Sequence, residues 1–276
     1  MANTRSAKLK QAAYRSIKSA LARMGCAVVR TDTLTELLEH AHVGRYFEGF
    51  HAILNGLSVE HELPADLIAK LRYSTSQFQQ DLFALSQVGF KRGGYFVEFG
   101  AADGLSASNT HLLEKAYGWT GILAEPARAW HDDLRRNRPA ARIETDCVWS
   151  RSGVTLAFDE VDIAEFSSID QYSADNFRHS SRPIATQYSV ATISLNDLLE
   201  KYRAPEVIDF LSIDTEGSEF EILSHFDFSR HRFNAIVCEH NYSPMRERVL
   251  ELLTARGYGR KFPELSRVDD WYAPLG

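Results

Sequence analysis

Three cysteines in 276 residues, Cys26, Cys147 and Cys238, share no CxxC or other paired spacing. That excludes a disulfide framework and a cysteine-based zinc site, and it points to a reducing compartment. Long apolar runs are missing too. The longest, Met24–Val29, is about a third of the ~18 residues a membrane-spanning helix requires. No apolar core with a small-residue cleavage site follows the basic start, so a secretory signal is not expected and the chain is expected in the cytoplasm. Acidic residues are absent from positions 1–30, which hold Arg5, Lys8, Lys10, Arg15, Lys18, Arg23 and Arg30. The net charge of −6 therefore divides into +7 on this arm and −13 on the remainder. An acidic body excludes a general nucleic-acid-binding domain.

What is present is ordinary globular material, 44% apolar and 25% charged, enough for a sizeable core. Leu9, Ala13, Ile17, Leu21, Met24 and Val28 follow helical spacing opposite most of the basic residues. This basic amphipathic helix is expected to dock on the body or a second copy, or to rest on an anionic membrane surface; a cleaved targeting peptide is the third reading. Helical patterns continue to Leu71, so residues 1–75 read as an N-terminal helical appendage. A helix over Gln77–Val88 turns Phe78, Leu82, Phe83 and Leu85 inward. From Gly93 onward strands and helices alternate: strands at Tyr95–Phe99, Gly121–Ala124, Arg142–Cys147, Val190–Ser194, Val207–Ile213 and Ala235–Cys238. The helices between and after them are Ser108–Tyr117, Ala127–Arg136, Leu195–Tyr202, Glu219–His225 and Pro244–Arg256. This alternation predicts an α/β fold, a mostly parallel sheet with helices on both faces. Asp159–Tyr188, polar and Ser-rich, breaks it and reads as a loop or short hairpin over the sheet.

In such a sheet, ligands sit beyond the carboxyl ends of the strands. The first strand ends in Glu98-Phe99-Gly100-Ala101-Ala102-Asp103-Gly104, where Gly100 permits a sharp turn and small Ala101 and Gly104 permit close approach. Glu125-Pro126 ends the second strand, and Glu125 lies 21 residues past Gly104, where a carboxylate accepts ribose hydroxyls. Asp146-Cys147 ends the third, placed to meet an adenine ring. The loop lacks Gly-x-Gly-x-x-Gly, and Asp103 would repel a pyrophosphate. An adenosine cofactor with a cation and no phosphate fits instead. S-adenosylmethionine is such a molecule, with Glu98 and Asp103 facing its cationic end.

Gln80-Asp81, the Gly94–Ala101 run, Ser108-Asn109-Thr110, Leu113-Glu114, Gly118-Trp119, Ile122–Pro126 and Asp209–Glu219 together resemble the FkbM family of S-adenosylmethionine-dependent methyltransferases, over roughly residues 76–258. The segment Asp214-Thr215-Glu216-Gly217-Ser218-Glu219 is the most specific piece. The resemblance implies a Rossmann-like class I methyltransferase domain over 76–276 and O-methylation of hydroxyls, commonly on sugars or polyketides. Ala102 departs from the wider methyltransferase pattern, in which a glycine is frequent there. Asn109 is a cofactor contact or a helix-start residue.

The fourth and fifth strands deliver Asp214, Glu216, Glu239 and His240. An alcohol is a poor nucleophile at neutral pH, so its proton must be removed. His240 could act as a base, tuned by Asp214 or Glu239. Alternatively Asp214, Glu239 and His240 could hold Mg²⁺ or Mn²⁺. Glu219 also suits a helix first turn. Ser167, Ser168 and Asp170 are candidates for acceptor contact, and Asp269–Tyr272 for the acceptor pocket border. The expected activity is methylation of a sugar hydroxyl in a glycan or glycolipid. The alternatives are O-methylation of a natural product such as a polyketide, a nicotinamide dehydrogenase, and a non-catalytic cofactor-binding module.

Overall fold

The computed structural model describes residues 64–161, 168–169, 184–265 and 267–276. By its contacts the chain divides into residues 1–48 and 49–276. The basic helix and most of the expected appendage lie outside the described residues, as do Ser167 and Asp170.

Seven strands form the central sheet: β1 (Tyr95–Phe99), β2 (Thr120–Ala124), β3 (Arg142–Glu144), β9 (Phe210–Ile213), β11 (Ile236–Glu239), β12 (Tyr258–Lys261) and β13 (Asp269–Pro274). Their order is β12-β13-β11-β9-β1-β2-β3, and β13 runs antiparallel to both neighbours while the other pairs are parallel. This is the class I methyltransferase arrangement, in which one reversed strand inserts beside the fifth. The central strands read Phe-Val-Glu-Phe, Phe-Leu-Ser-Ile and Ile-Val-Cys-Glu and are buried along those positions. Near-continuous apolar sequence is what a strand covered on both faces needs. One face packs Val97, Phe99, Ile122, Leu211, Ile213 and Ile236 onto Leu198, Leu199, Ile222, Leu223, Val249 and Leu253.

The helices that close the layers are α1 (Leu67–Lys70), α2 (Gln80–Gln87), α3 (His111–Tyr117), α4 (His131–Asn137), α5 (Leu195–Lys201), α6 (Glu219–Ser224) and α7 (Met245–Ala255). Helix α3 stops at Gly118, which takes the left-handed conformation (φ 68°) that such ends favour. Helix α5 starts on Ser194, whose Oγ accepts the Asp197 N–H at 3.1 Å, a side-chain cap. Residues 73–75 pack on the methyltransferase body: the Tyr73 carbonyl lies 2.9 Å from His111 Nδ1, and Thr75 Oγ1 donates to the Ser108 carbonyl at 3.0 Å.

Four expectations are corrected. The Arg142–Cys147 strand is two strands in different sheets, because Glu144 Oε1 turns the chain by accepting the Thr145 and Asp146 N–H groups. Its second part, β4 (Cys147–Trp149), pairs with β7 (Ile184–Ser194), which pairs with β5 (Thr155–Val161); β5 also pairs with β6 (Ser168–Ile169). The insert is thus an extension of long antiparallel strands that begins before Asp159. The Val207–Ile213 strand breaks at Asp209 into β8 (Val207–Ile208), which pairs with β10 (Arg232–Phe233), and β9; the Asp209 carboxylate accepts from the Tyr95 N–H and from Asn234 Nδ2. Helix α2 is buried on every side from Gln80 to Ser86, beyond the single apolar face expected. The β12–β13 hairpin had no counterpart in the sequence reading.

Candidate active site

The turns leaving β1 and β9 touch. Gly100 has φ +71°, and a Cβ there would lie 2.0 Å from the Asp214 carbonyl oxygen. Only glycine fits such an approach without moving the chain. Ala102 also occupies the left-handed region (φ 45°), an uncommon conformation for a residue with a Cβ. Its N–H donates to Glu125 Oε2 at 2.8 Å, and the Ala127 N–H donates to Oε1 at 2.7 Å. Two backbone donors thus aim the Glu125 carboxylate. Burial pushes its pKa up to about 7, against the lowering effect of those two N–H groups; Asp214 and Glu160 add to the rise.

Asp214 leaves β9 in a loop held from below by Glu219. Oε1 of Glu219 accepts the Thr215 N–H, the Thr215 hydroxyl and the Gly217 N–H, each at 3.0 Å. Glu219 is a buried cap for the loop. Within it, Glu216 (φ 56°) and Gly217 (φ 124°) are both left-handed, a strain that tends to collect at functional sites. Asn241 Nδ2 donates to Glu216 Oε2 at 3.3 Å, joining this loop to the one after β11.

Carboxylate oxygens of Asp214, Glu216 and Glu239 lie within 4.8 Å of one another. Burial, reinforced by the Asp214 and Glu216 charges and a hydrogen bond with Asp214, holds Glu239 well above the ordinary carboxyl range. Three clustered acids cannot all ionise cheaply, so each charge added to the cluster opposes ionisation of Glu239. His240 faces elsewhere. Its Nδ1 accepts the Tyr242 N–H at 3.0 Å, and its Nε2 lies 3.8 Å from Asp270, which Arg246 binds with two hydrogen bonds. Burial lowers the His240 pKa to about 4, outweighing Asp270. The ligand set expected from sequence included His240; the acids that converge are Asp214, Glu216 and Glu239.

Two chambers meet at Asp214. The first, about 590 Å³ with its open mouth, is lined by Gly100, Ala102, Glu125, Pro126, Cys147, Phe158, Asp214 and Glu216 among others. The second, about 370 Å³, is lined by Gln77, Gln80, Asn109, Ser212, Asp214, Glu239 and Asp269 with a few aliphatic groups. Gln80 Nε2 donates to Asp269 Oδ2 at 2.7 Å, so α2 and β13 close this chamber together.

Of the expected site residues, Gly100, Glu125, Pro126, Cys147, Asp214 and Glu216 line the first chamber, and Asn109, Asp214 and Glu239 the second. Glu98, Ala101, Asp103, Gly104, Asp146 and His240 line neither. Asp103 is spent on a turn, accepting the Leu105 and Ser106 N–H groups and the Ser106 hydroxyl. Asp270 to Tyr272 are buried away from the chambers; of that quartet Asp269 alone reaches one. Phe158, Thr215 and Ser218 were missed. Thr215 and Ser218 stood inside a quoted motif, and Phe158 lies one residue before the Asp159–Tyr188 insert.

The sequence model of the family described as "Methyltransferase FkbM domain" matches residues 98–259. The chain belongs to the FkbM methyltransferase family. Among solved structures, the methyltransferase FkbM from Methylobacillus flagellatus KT is 15% identical, over 84% of this chain and 60% of its own length, with a TM-score of 0.44. The O-methyltransferase from Bacillus cereus, in complex with SAH, is 12% identical over 95% of this chain and 97% of its own, TM-score 0.40. The precorrin-6y C5,15-methyltransferase from Geobacter metallireducens GS-15 is 12% identical over 73% and 88%, TM-score 0.40. No curated protein matches. The structural likenesses are too distant to carry weight. The sequence match carries the family, and the strand order carries the fold. This FkbM protein is an S-adenosylmethionine-dependent methyltransferase. Among the described residues, no helix is long and apolar enough to cross a membrane.

Proposed function

We propose that this FkbM protein transfers the methyl group of S-adenosylmethionine to a hydroxyl, on a sugar of a glycan or glycolipid. Support begins with how the first chamber suits the cofactor. Glu125, held by two backbone donors, keeps lone pairs for ribose hydroxyls. Cys147, Val148 and Phe158 offer the apolar surface an adenine ring needs, and Gly100 leaves the β1 turn without a Cβ. When bound, the cofactor supplies an electrophilic methyl group on a sulfonium sulfur.

The protein must then orient the acceptor and take its proton. The observation that carries O-methylation is the position of Asp214, in the wall of both chambers and hydrogen-bonded to the high-pKa Glu239. Asp214 accepts the hydroxyl proton, and Glu239, whose ionisation burial opposes, is the neighbour hydrogen-bonded to it. A second reading rests on the convergence of Asp214, Glu216 and Glu239. Together they would hold Mg²⁺ or Mn²⁺, and a divalent cation lowers the pKa of a bound hydroxyl. The amides and carboxylates of the second chamber match the alternating donors and acceptors of a sugar. The basic arm would hold the enzyme beside a membrane carrying glycolipid.

Mass spectrometry of cell-surface glycans, with and without the gene, tests this reading. Loss of a methylated sugar, restored by the wild-type gene and not by Asp214→Asn, is the expected result. An unchanged glycan profile would count against a sugar acceptor.

A further inference from the structure

Arg138 is wholly buried, with a side-chain exposure of 0%, and its guanidinium is spent largely on one loop. Nε donates to Glu114 Oε2 at 2.9 Å. Nη1 donates to the Gly104 carbonyl at 3.0 Å and Ser108 Oγ at 3.1 Å, and Nη2 to Thr110 Oγ1 at 3.0 Å. The guanidinium carbon lies 5.4 Å from the centre of the Phe96 ring. From the other side, Glu98 on β1 grips the same residues. Its Oε1 accepts the Asn109 N–H at 2.7 Å, and its Oε2 accepts the hydroxyls of Ser108 and Thr110. Each hydroxyl therefore accepts from Arg138 and donates to Glu98. Gly104 completes the clamp, because a Cβ there would lie 2.6 Å from Arg138 Cγ and from Leu134 Cδ1.

The clamped loop builds walls of both chambers: Gly100 and Ala102 face the first, Ala107 and Asn109 the second. We infer that Glu98 and Arg138 are positioning residues that fix this loop, and through it the cofactor, without touching the cofactor themselves. The inference rests on the first chamber being the S-adenosylmethionine site. It assigns Glu98 a role opposite to a direct charge contact with the cofactor's cation, and the two roles differ measurably. S-adenosylmethionine carries a positive sulfur and S-adenosylhomocysteine does not. A direct contact of Glu98 with that sulfur would favour S-adenosylmethionine, whereas loop placement serves both ligands equally; the α-ammonium is common to both and does not enter the ratio.

Calorimetric titration of the full chain with each ligand, beside thermal unfolding, separates these roles. In Glu98→Gln both dissociation constants are expected to rise about tenfold or more, with their ratio unchanged. Arg138→Lys keeps the charge but offers three donors without the planar fork, and the same parallel loss is expected. Ser108→Ala and Thr110→Val remove one bridge each, and should show smaller, equal losses even if the charge variants fail to fold. A ratio that shifts severalfold in Glu98→Gln overturns the inference in favour of direct contact. Wild-type affinities in the variants, with a lowered unfolding temperature, overturn it in favour of a stability role alone. If the wild-type chain binds neither ligand, the cofactor reading falls and this inference falls with it.

Discussion

In the proposed cofactor site Glu125 should make binding depend on pH, and the size of the effect follows from its surroundings. Its carboxyl is 6% exposed, and burial moves its pKa from 4.5 up to about 7. The folded pKa lies above the unfolded one. Its stabilising contribution is therefore complete below about pH 4.5 and is lost as pH rises through 7, amounting to about 3 kcal/mol. Ribose hydroxyls donated to the carboxylate favour its charged form and draw the pKa back down, so binding near or below pH 7 releases a proton. Relative to alkaline pH, the apparent affinity should fall about twofold at pH 7, about tenfold at pH 6 and about a hundredfold at pH 5. Titration calorimetry with S-adenosylhomocysteine, in buffers of differing ionisation enthalpy, measures both slope and proton release. In Glu125→Gln the slope should vanish, and affinity at pH 8 should drop about 10- to 100-fold with loss of charge-assisted hydrogen bonds. The ligand-free variant should be more stable than wild type at pH 8. The gain is about 1–2 kcal/mol, less than the full 3, because an amide satisfies one of the two N–H groups and confronts the other. A flat wild-type profile from pH 5 to 8, or a slope that survives in Glu125→Gln, would refute the reasoning.

Gly100→Ala combines a left-handed φ, worth about 1–2 kcal/mol for alanine, with a 2.0 Å approach to the Asp214 carbonyl. A loss of about 3 kcal/mol or more in chemical denaturation, with no measurable S-adenosylhomocysteine binding, is expected; wild-type values would show that the two turns do not touch. His240→Gln should lower methylation in complemented cells less than tenfold while Asp214→Asn abolishes it; equal losses would return His240 to the proton-transfer step. Mn²⁺ binding followed by paramagnetic resonance should weaken in Glu216→Gln and persist in His240→Gln, and the reverse order would restore the histidine as a ligand.

The sequence was most readable where one local signal decided the structure. Tyr95–Phe99 is an apolar run between glycines, and its strand has those bounds. The Glu125 position followed from strand-end spacing and needed no tertiary information. Where the structure directs a side chain away from the strand-end reading, the cause is different. Glu98 looks like a cofactor acid from its place at the end of β1, but its partners are Ser108, Asn109, Thr110 and Arg138, the last of them 40 positions away. His240 sits at a strand end, as a base would, and alternation along β11 turns it toward Asp270 on the neighbouring strand. Phe158 enters the first chamber from the inserted strands, an element that polar sequence disguises. A strand-end rule predicts which residues are near a site, whereas side-chain direction depends on pairings between distant segments.

In the proposed site, contact between the β1 and β9 turns ties binding to chemistry. Because Gly100 abuts the Asp214 carbonyl, the β1 turn cannot shift without moving the acid proposed to meet the acceptor. That acid in turn is coupled to Glu239 by a hydrogen bond and to Glu216 by proximity. Crowding three carboxylates is unfavourable unless something positive occupies the space between them. A proton suffices for the base route, and a divalent cation would displace it in the metal route, since carboxylate ligands bind metals deprotonated. Both routes therefore use the same electrostatic tension, created by burial and released by the occupant. The raised pKa of Glu239 reflects that tension.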